Sequence, residues 1–275
     1  MHSFEIFPGE NFQLLLHDQD EILSEIIREK GFYSLNDLVV FRQLLKPHST
    51  MLEVGSNLGW HTVAMGKYLT EGLILAVEPE MKNFQLLSRN ITLNELKQVK
   101  CVRAALSNYK GHGSLSLSGG NFGDHILDPQ SLLDKRPLVE VEVLTGDELV
   151  SQETGFTKLD FIKIDAQGSE CKILEGLKET IQKFKPAIMV EYSPRHISAA
   201  GDSVFEIFAF IEKNSYFPFQ IVEDLQRPRN RLLDFVSIEN LLSATKILME
   251  RGTGVDLLLL NLEHIEALKQ QGMLI

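Results

Sequence analysis

Residues Met51–Thr62 read MLEVGSNLGWHT. A short apolar run reaches Gly55, a second glycine follows at Gly59, and a helix-compatible segment starts at once. That order marks the junction between a buried parallel strand and its crossover helix. In open parallel sheets ligands bind beyond the carboxyl ends of the strands, so the turn after Val54 is a natural ligand loop. Gly55 and Gly59 let the backbone pass close to a ligand and to the next helix. Their spacing is G-x-x-x-G and lacks the close glycine pair of a dinucleotide loop. Glu53, just before the loop, would repel a diphosphate and suits a cationic or amine-bearing ligand.

Outward from this stretch the same alternation repeats. Apolar runs at Met51–Val54, Leu73–Val77, Val99–Ala104, Phe161–Ile164, Ala187–Glu191, Phe217–Val222 and Val255–Leu260 are separated mostly by helical patterns such as Met81–Leu93 and Glu170–Phe184. Near-continuous apolar strands alternating with helices predict an α/β fold, doubly wound on a mostly parallel sheet. Before residue 51 two amphipathic helices are expected. One carries Ile22, Leu23, Ile26 and Ile27 and stops at Gly31; the other starts after the possible cap Asn36 and ends before Pro47. The expected division is a helical segment over 1–50, a main domain over 51–265 and a tail over 266–275. Two loops are expected, the Gly-rich stretch NYKGHGSLSLSGGNFGDHILDP (residues 108–129) and EDLQRPRNRLLD (residues 223–234).

Composition narrows the class. The chain has 275 residues, 44% hydrophobic and 24% charged, with a formal net charge of −11. That balance disfavours a broad grip on nucleic acid or an anionic membrane. Cys101 and Cys171 make no disulfide framework and read as buried thiols of a reducing compartment, so a cytoplasmic location is expected. The opening MHSFEIFPGE does not read as a signal peptide, and the longest apolar runs are too short to cross a bilayer.

The second strand ends LILAVEPE. Glu78 lies about 20 residues beyond the glycines, where an acid commonly holds ribose hydroxyls. A cofactor with a ribose, a positive charge and no phosphate is S-adenosylmethionine. Ala104, Ala105 and Leu106 supply small apolar residues suited to an adenine. Asp165 ends the fourth strand beside the presumed cofactor, Gly168 allows a sharp exit, and Glu170 reads first as a helix-capping acid. The cofactor set is therefore Glu53, Gly55, Asn57 and Gly59, then Glu78, Pro79, Ala105 and Asp165.

In series, LEVGSNLGWHT, AVEPEMKNFQLLSRNITLN, VRAALSNYKG, GGNFGDH, LDFIKIDAQGSECKILEGLKETI and KPAIMVEYS resemble the FkbM type of class I S-adenosylmethionine-dependent methyltransferase. The likeness spans roughly residues 50 to 195, and K-I-D-x-[EQ]-G-x-E is its most specific part. It implies a seven-stranded sheet with one antiparallel strand and methyl transfer, usually to a hydroxyl of a sugar, glycan or natural-product scaffold. Many relatives place an acid where this chain has Gln167. Nothing resembles the [DNS]-P-P-[YF] or Pro-Cys patterns of nucleic-acid methylation. A non-catalytic cofactor-binding scaffold, or a nicotinamide oxidoreductase, is the alternative.

A hydroxyl acceptor must lose its proton to a side-chain base or a metal. The candidates are Asp165, His125, His196 and Glu191. Asp165 with Glu191 could hold Mg²⁺ through oxygen, but the preferred reading has them order the cofactor's amine and the loops, with no metal. His61 reads as a helix-start residue near the cofactor's methionine end. The stretch Gly111–Pro129 is expected to be a mobile cover.

Overall fold

The structure is a computed structural model describing residues 1–129, 136–153, 155–221 and 233–272. In chain order its elements are β1 (His2–Glu5), β2 (Asn11–Leu14), α1 (Leu23–Lys30), α2 (Leu35–Leu44), β3 (Thr50–Val54), α3 (Trp60–Tyr68), β4 (Leu73–Val77), α4 (Met81–Leu93) and β5 (Val99–Val102). Next come β6 (Ala105–Ser107), β7 (Gly111–Ser116), β8 (Ile126–Leu127), β9 (Leu138–Thr145), α5 (Gly146–Gln152), β10 (Phe161–Ile164), α6 (Glu170–Gly176), α7 (Lys178–Phe184), β11 (Ala187–Tyr192) and α8 (Pro194–Ala199). The last are α9 (Glu206–Lys213), β12 (Phe217–Ile221), β13 (Leu233–Phe235), α10 (Ile238–Arg251), β14 (Val255–Leu260) and α11 (Leu262–Gln270).

The main sheet runs β13-β12-β14-β11-β10-β3-β4-β5. Strands β5, β4, β3, β10 and β11 are parallel, and β14 inserts antiparallel between β11 and β12. Each of the seven apolar runs supplies a strand to it. Among the described residues the sheet has eight strands rather than seven, because Leu233–Phe235 pairs antiparallel with β12 as a further edge strand. That strand falls at the end of the second expected loop; residue 222 and the rest of that loop through 232 lie outside the described residues. From β3 the chain winds outward through β4 and β5, then returns to β10 on the other side of β3. The carboxyl ends of β3 and β10 therefore flank the topological switch point, where such sheets open a crevice.

Both sheet faces are buried, which explains the unbroken apolar runs. Met51, Phe161, Met189 and Leu258 face a core completed by β2, α1, α2, α3, α4 and α11. Leu52, Ile162, Val190 and Leu257, one residue out of phase, face α5 to α10. Residues 1–50 thus share the core of the first face, with the Phe41 ring of α2 tilted against that of Phe161 of β10 at 4.8 Å. The helical expectation for this segment omitted its β1–β2 hairpin. Gly31 caps α1 in the left-handed conformation as expected, whereas Asn36 lies inside the first turn of α2.

The Gly-rich stretch is not one loop. It carries β7 and β8 of a second, four-stranded sheet ordered β6-β9-β7-β8. Ala105, Leu115, Leu127, Val141 and Val143 form the apolar side of that sheet. The alternation Ser114-Leu115-Ser116-Leu117 is a strand signal masked by the glycines around it. Cys101 and Cys171 are both free. No helix among the described residues is long and apolar enough to cross a membrane.

Candidate active site

A cavity of about 310 Å³ opens at the switch point, walled by the carboxyl ends of β3, β4, β10 and β11. At its centre is the turn after β3. Gly55 has φ +83°, and a Cβ there would sit 1.8 Å from the Asp165 carbonyl oxygen, so only glycine lets the turn pass β10. Gly59, at φ +93°, begins α3 against Leu87 of α4 and lies behind the cavity wall.

Glu78, at the end of β4, lines the cavity and is 4% exposed. The backbone N–H of Asn57 donates to its Oε2 at 2.9 Å, and that of Glu80 to its Oε1 at 2.9 Å. Burial pushes its carboxyl up to about 7, although those two amides favour the anion. Pro79 follows in the wall, and Ala104, Ala105 and Leu106 make an apolar side together with Leu115 and Leu127.

The opposite end is acidic. Glu53, Asp165, Glu191 and Asp256 all line it. Alternation along the strands puts Glu53 and Lys163 on one sheet face, paired across β3 and β10, and Glu191 pairs with Asp256 across β11 and β14. The Lys163 ammonium lies 3.1 Å from Asp165 Oδ2 and is 3% exposed as a residue. Burial opposes its charge, but Asp165, Glu53 and Asp256 outweigh that and raise its pKa. Burial likewise pushes Asp165 up, and Lys163 overrides it to hold the carboxyl below its ordinary value. Glu53 accepts a hydrogen bond from the Thr62 hydroxyl at 2.6 Å and is pushed up to about 7 by burial. The Gln167 side-chain amide donates to Asp165 Oδ1 at 3.0 Å and to Glu191 Oε2 at 2.9 Å. Glu170 is fully buried; its carboxylate accepts the Ala166 and Gly168 amides at 2.9 and 2.8 Å. It closes the turn after β10 and also accepts its own backbone N–H at the start of α6, where an acid is expected.

The roof is the link between β7 and β8. The Phe122 carbonyl accepts from Asn83 Nδ2 at 2.9 Å and from Asn57 Nδ2 at 3.3 Å. The Glu21 amide donates to the Gly120 carbonyl at 2.9 Å, and the His17 ring meets Phe122 edge-on at 4.7 Å. The N-terminal segment, the roof and the Glu78 turn are thereby joined.

Residues 53–218 match the sequence profile of the Methyltransferase FkbM domain. The chain belongs to the FkbM methyltransferase family. Among curated proteins this FkbM chain is 24% identical over 184 residues to Methyltransferase sdnD of Sordaria araneosa, covering 57% of this chain and 71% of that protein. It is 22% identical over 161 residues to Methyltransferase 1 of Beauveria bassiana, covering 52% and 64%. The solved FkbM methyltransferase of Methylobacillus flagellatus superposes with a TM-score of 0.44 at 15% identity, over 63% of this chain and 39% of that one. The O-methyltransferase TomG of Streptomyces achromogenes does so at 0.46 and 12%, over 90% and 92%. At such scores neither likeness bears on what this chain does.

Within the FkbM domain, Glu53, Gly55, Asn57, Glu78, Pro79, Ala105, His125 and Asp165 meet at the cavity wall. His196 is not in that wall; its Nε2 lies 3.1 Å from Asp124 Oδ1. His125 accepts from the Ser118 amide at 3.0 Å, and its charged neighbours are Glu80, Asp124, Arg136 and His17, away from the acid cluster. His61 does start α3 and line the acidic end, where burial and Lys163 push its pKa down to about 3. Lys163, Asn83, Phe122, Asp256 and Tyr33 also line the cavity and are not among the residues expected from the sequence. Lys163 carried a signal, since a lysine inside a central apolar strand must be paired. Tyr33 carried none, because the sequence shows no contact between α1–α2 and the strand ends.

Proposed function

We propose that the cavity binds S-adenosylmethionine and that the chain transfers its methyl group to a hydroxyl of a sugar, glycan or natural-product small molecule. The observation that carries this reading is Glu78, a buried carboxylate held by two backbone amides at the edge of the glycine turn. Hydroxyl donors from a ribose would satisfy an acid whose burial now works against its charge. Ala105 and its apolar neighbours would take the adenine, and Glu53 and Asp165 the amino acid end. The cofactor supplies a methyl group on a cationic sulfur, open to in-line displacement. For this chemistry the chain's own task is positioning and removal of one proton.

Mg²⁺ has no part in the reading. The Gln167 amide bridges Asp165 and Glu191, so a hydrogen-bond donor and Lys163 stand where a cation would need oxygen ligands. The two free cysteines support a reducing, cytoplasmic setting. The acidic net charge supports a small-molecule acceptor over nucleic acid.

Calorimetric titration with S-adenosylhomocysteine and with NAD tests the cofactor. Binding of the first and not the second is expected. The acceptor is then the small molecule that gains label from methyl-labelled S-adenosylmethionine. NAD binding with no response to S-adenosylhomocysteine would overturn the reading.

A further inference from the structure

We infer that Glu191 is the base that takes the acceptor's hydroxyl proton, with Gln167 as the residue that positions it; this rests on the methyl-transfer reading above. Four carboxylates line the acidic end, and their partners differ. Asp165 is committed to Lys163 at 3.1 Å. Glu53 is 1% exposed and takes the Thr62 hydroxyl. Asp256 pairs with Glu191 across the strands and stands one strand farther from β3. Glu191 is neighbour to Asp165 at the carboxyl end of the adjacent strand, and only partly buried. Its Oε2 is fixed by Gln167, and its Oε1 lies over Gly254, where an added Cβ would come within 3.0 Å. One oxygen is thus anchored while the other has the room that a glycine leaves.

The groups facing Glu191 are Asp165 beside it on β10, Glu170 from α6, Asp256 from β14 and Lys163 from within β10. Burial comes first, and the three carboxylates next, in raising its pKa well above the ordinary value; Lys163 opposes them. A carboxylate whose pKa is raised in this way is a stronger base than a solvated one. Neither His125 nor His196 stands in this group. In the step, the acceptor O–H proton passes to Glu191 while the oxygen forms its bond to the methyl carbon. The carbon–sulfur bond breaks, and its electron pair neutralises the sulfonium to a thioether. Glu191 returns its proton to solvent after product leaves. Gln167 matters because an acid at that position, as the resemblance implies for many relatives, would replace the bridge by a further negative charge.

The test is calorimetric titration of the full chain with S-adenosylhomocysteine from pH 6 to 9, in two buffers of different ionisation enthalpy, which counts protons exchanged on binding. The ligand's ammonium enters the acidic end and draws a proton off Glu191. Wild type should therefore release a fraction of a proton that Glu191→Gln does not, with affinity changed less than about fivefold. Glu191→Asp should restore part of the release, and Gln167→Glu should move its midpoint to higher pH. Identical proton counts for wild type and both Glu191 variants would overturn the proposal. A loss of affinity beyond about fivefold in Glu191→Gln would overturn it too, making Glu191 a cofactor anchor. If wild type binds no S-adenosylhomocysteine, the methyl-transfer reading falls and this inference with it, a result distinct from failure of the inference alone.

Discussion

On the proposed reading, Glu78 and Glu191 divide the cavity's chemistry between a carboxylate that binds and one that moves a proton. Glu78→Ala should weaken S-adenosylhomocysteine by about 1–3 kcal/mol, the scale of a lost charge-assisted hydrogen bond. Calorimetry checks this, and unchanged affinity in a folded variant would remove Glu78 from the site. Glu191→Gln should instead leave binding nearly intact and lower turnover of the labelled acceptor at least about a hundredfold. The base works only as the anion, so wild-type turnover should rise with pH through the raised pKa of Glu191, and the variant's profile should be flat there. A variant that keeps the rising limb would place the base elsewhere. At this level the sequence was informative where a residue type was itself unusual. Glu53, Glu78 and Asp165 were visible as acids closing apolar strands. Lys163 had the same kind of signal inside FIKI. The Gln167 bridge depends on a left-handed turn residue, φ +49°, reaching across to β11, and nothing in the local sequence specifies that reach.

The roof illustrates where element-level reading fell short. Gly111–Pro129 has loop composition, yet β7 pairs with β9 along six residues, and the link to β8 roofs the cavity while Leu115 and Leu127 of the strands line its apolar side. The pairing was illegible because β9 lies more than twenty residues later, and strand formation is decided by that distant partner as much as by local propensity. The amides of Gly119–Asp124 should therefore gain protection from hydrogen exchange when S-adenosylhomocysteine binds, because Asn57 and Asn83 tie Phe122 to the Glu78 turn. Those of Gly111–Ser116, already in a ladder, should change little. Equal gains in both stretches would mean that the whole hairpin moves, and no gain in either would mean that the roof does not respond to the cofactor.

Across the molecule, burial of acids near the switch point exacts a stability cost that depends on pH. Glu53, Glu78 and Glu170 are each pushed up to about 7 from an ordinary value of 4.5. Between about pH 4.5 and 7 the unfolded chain has released these protons and the folded chain keeps them. Stability should fall as pH rises through that window, by up to about 1.4 kcal/mol per pH unit for each group. Urea denaturation at pH 5, 6 and 7 measures the slope, and Glu170→Gln should remove one group's share; a slope that the variant leaves unchanged would mean that Glu170 is ionised in the fold. The doubly wound order was legible as a whole because the strands, most of them buried, leave seven apolar runs. The eighth, Leu233–Phe235, was not, since a three-residue edge strand with only Leu233 buried carries no pattern long enough to read. Nor was the burial of residues 1–50 against the sheet, which rests on contacts such as Phe41 with Phe161 across 120 positions of chain. The crystal structure of the complex with S-adenosylhomocysteine bears on all of this at once. It should show the ribose hydroxyls on the Glu78 carboxylate, the adenine against Ala105, and the sulfur facing Asp165 and Glu191. A ligand bound away from Glu78, or with its sulfur turned from the acidic end, would contradict the assignment of this cavity to methyl transfer.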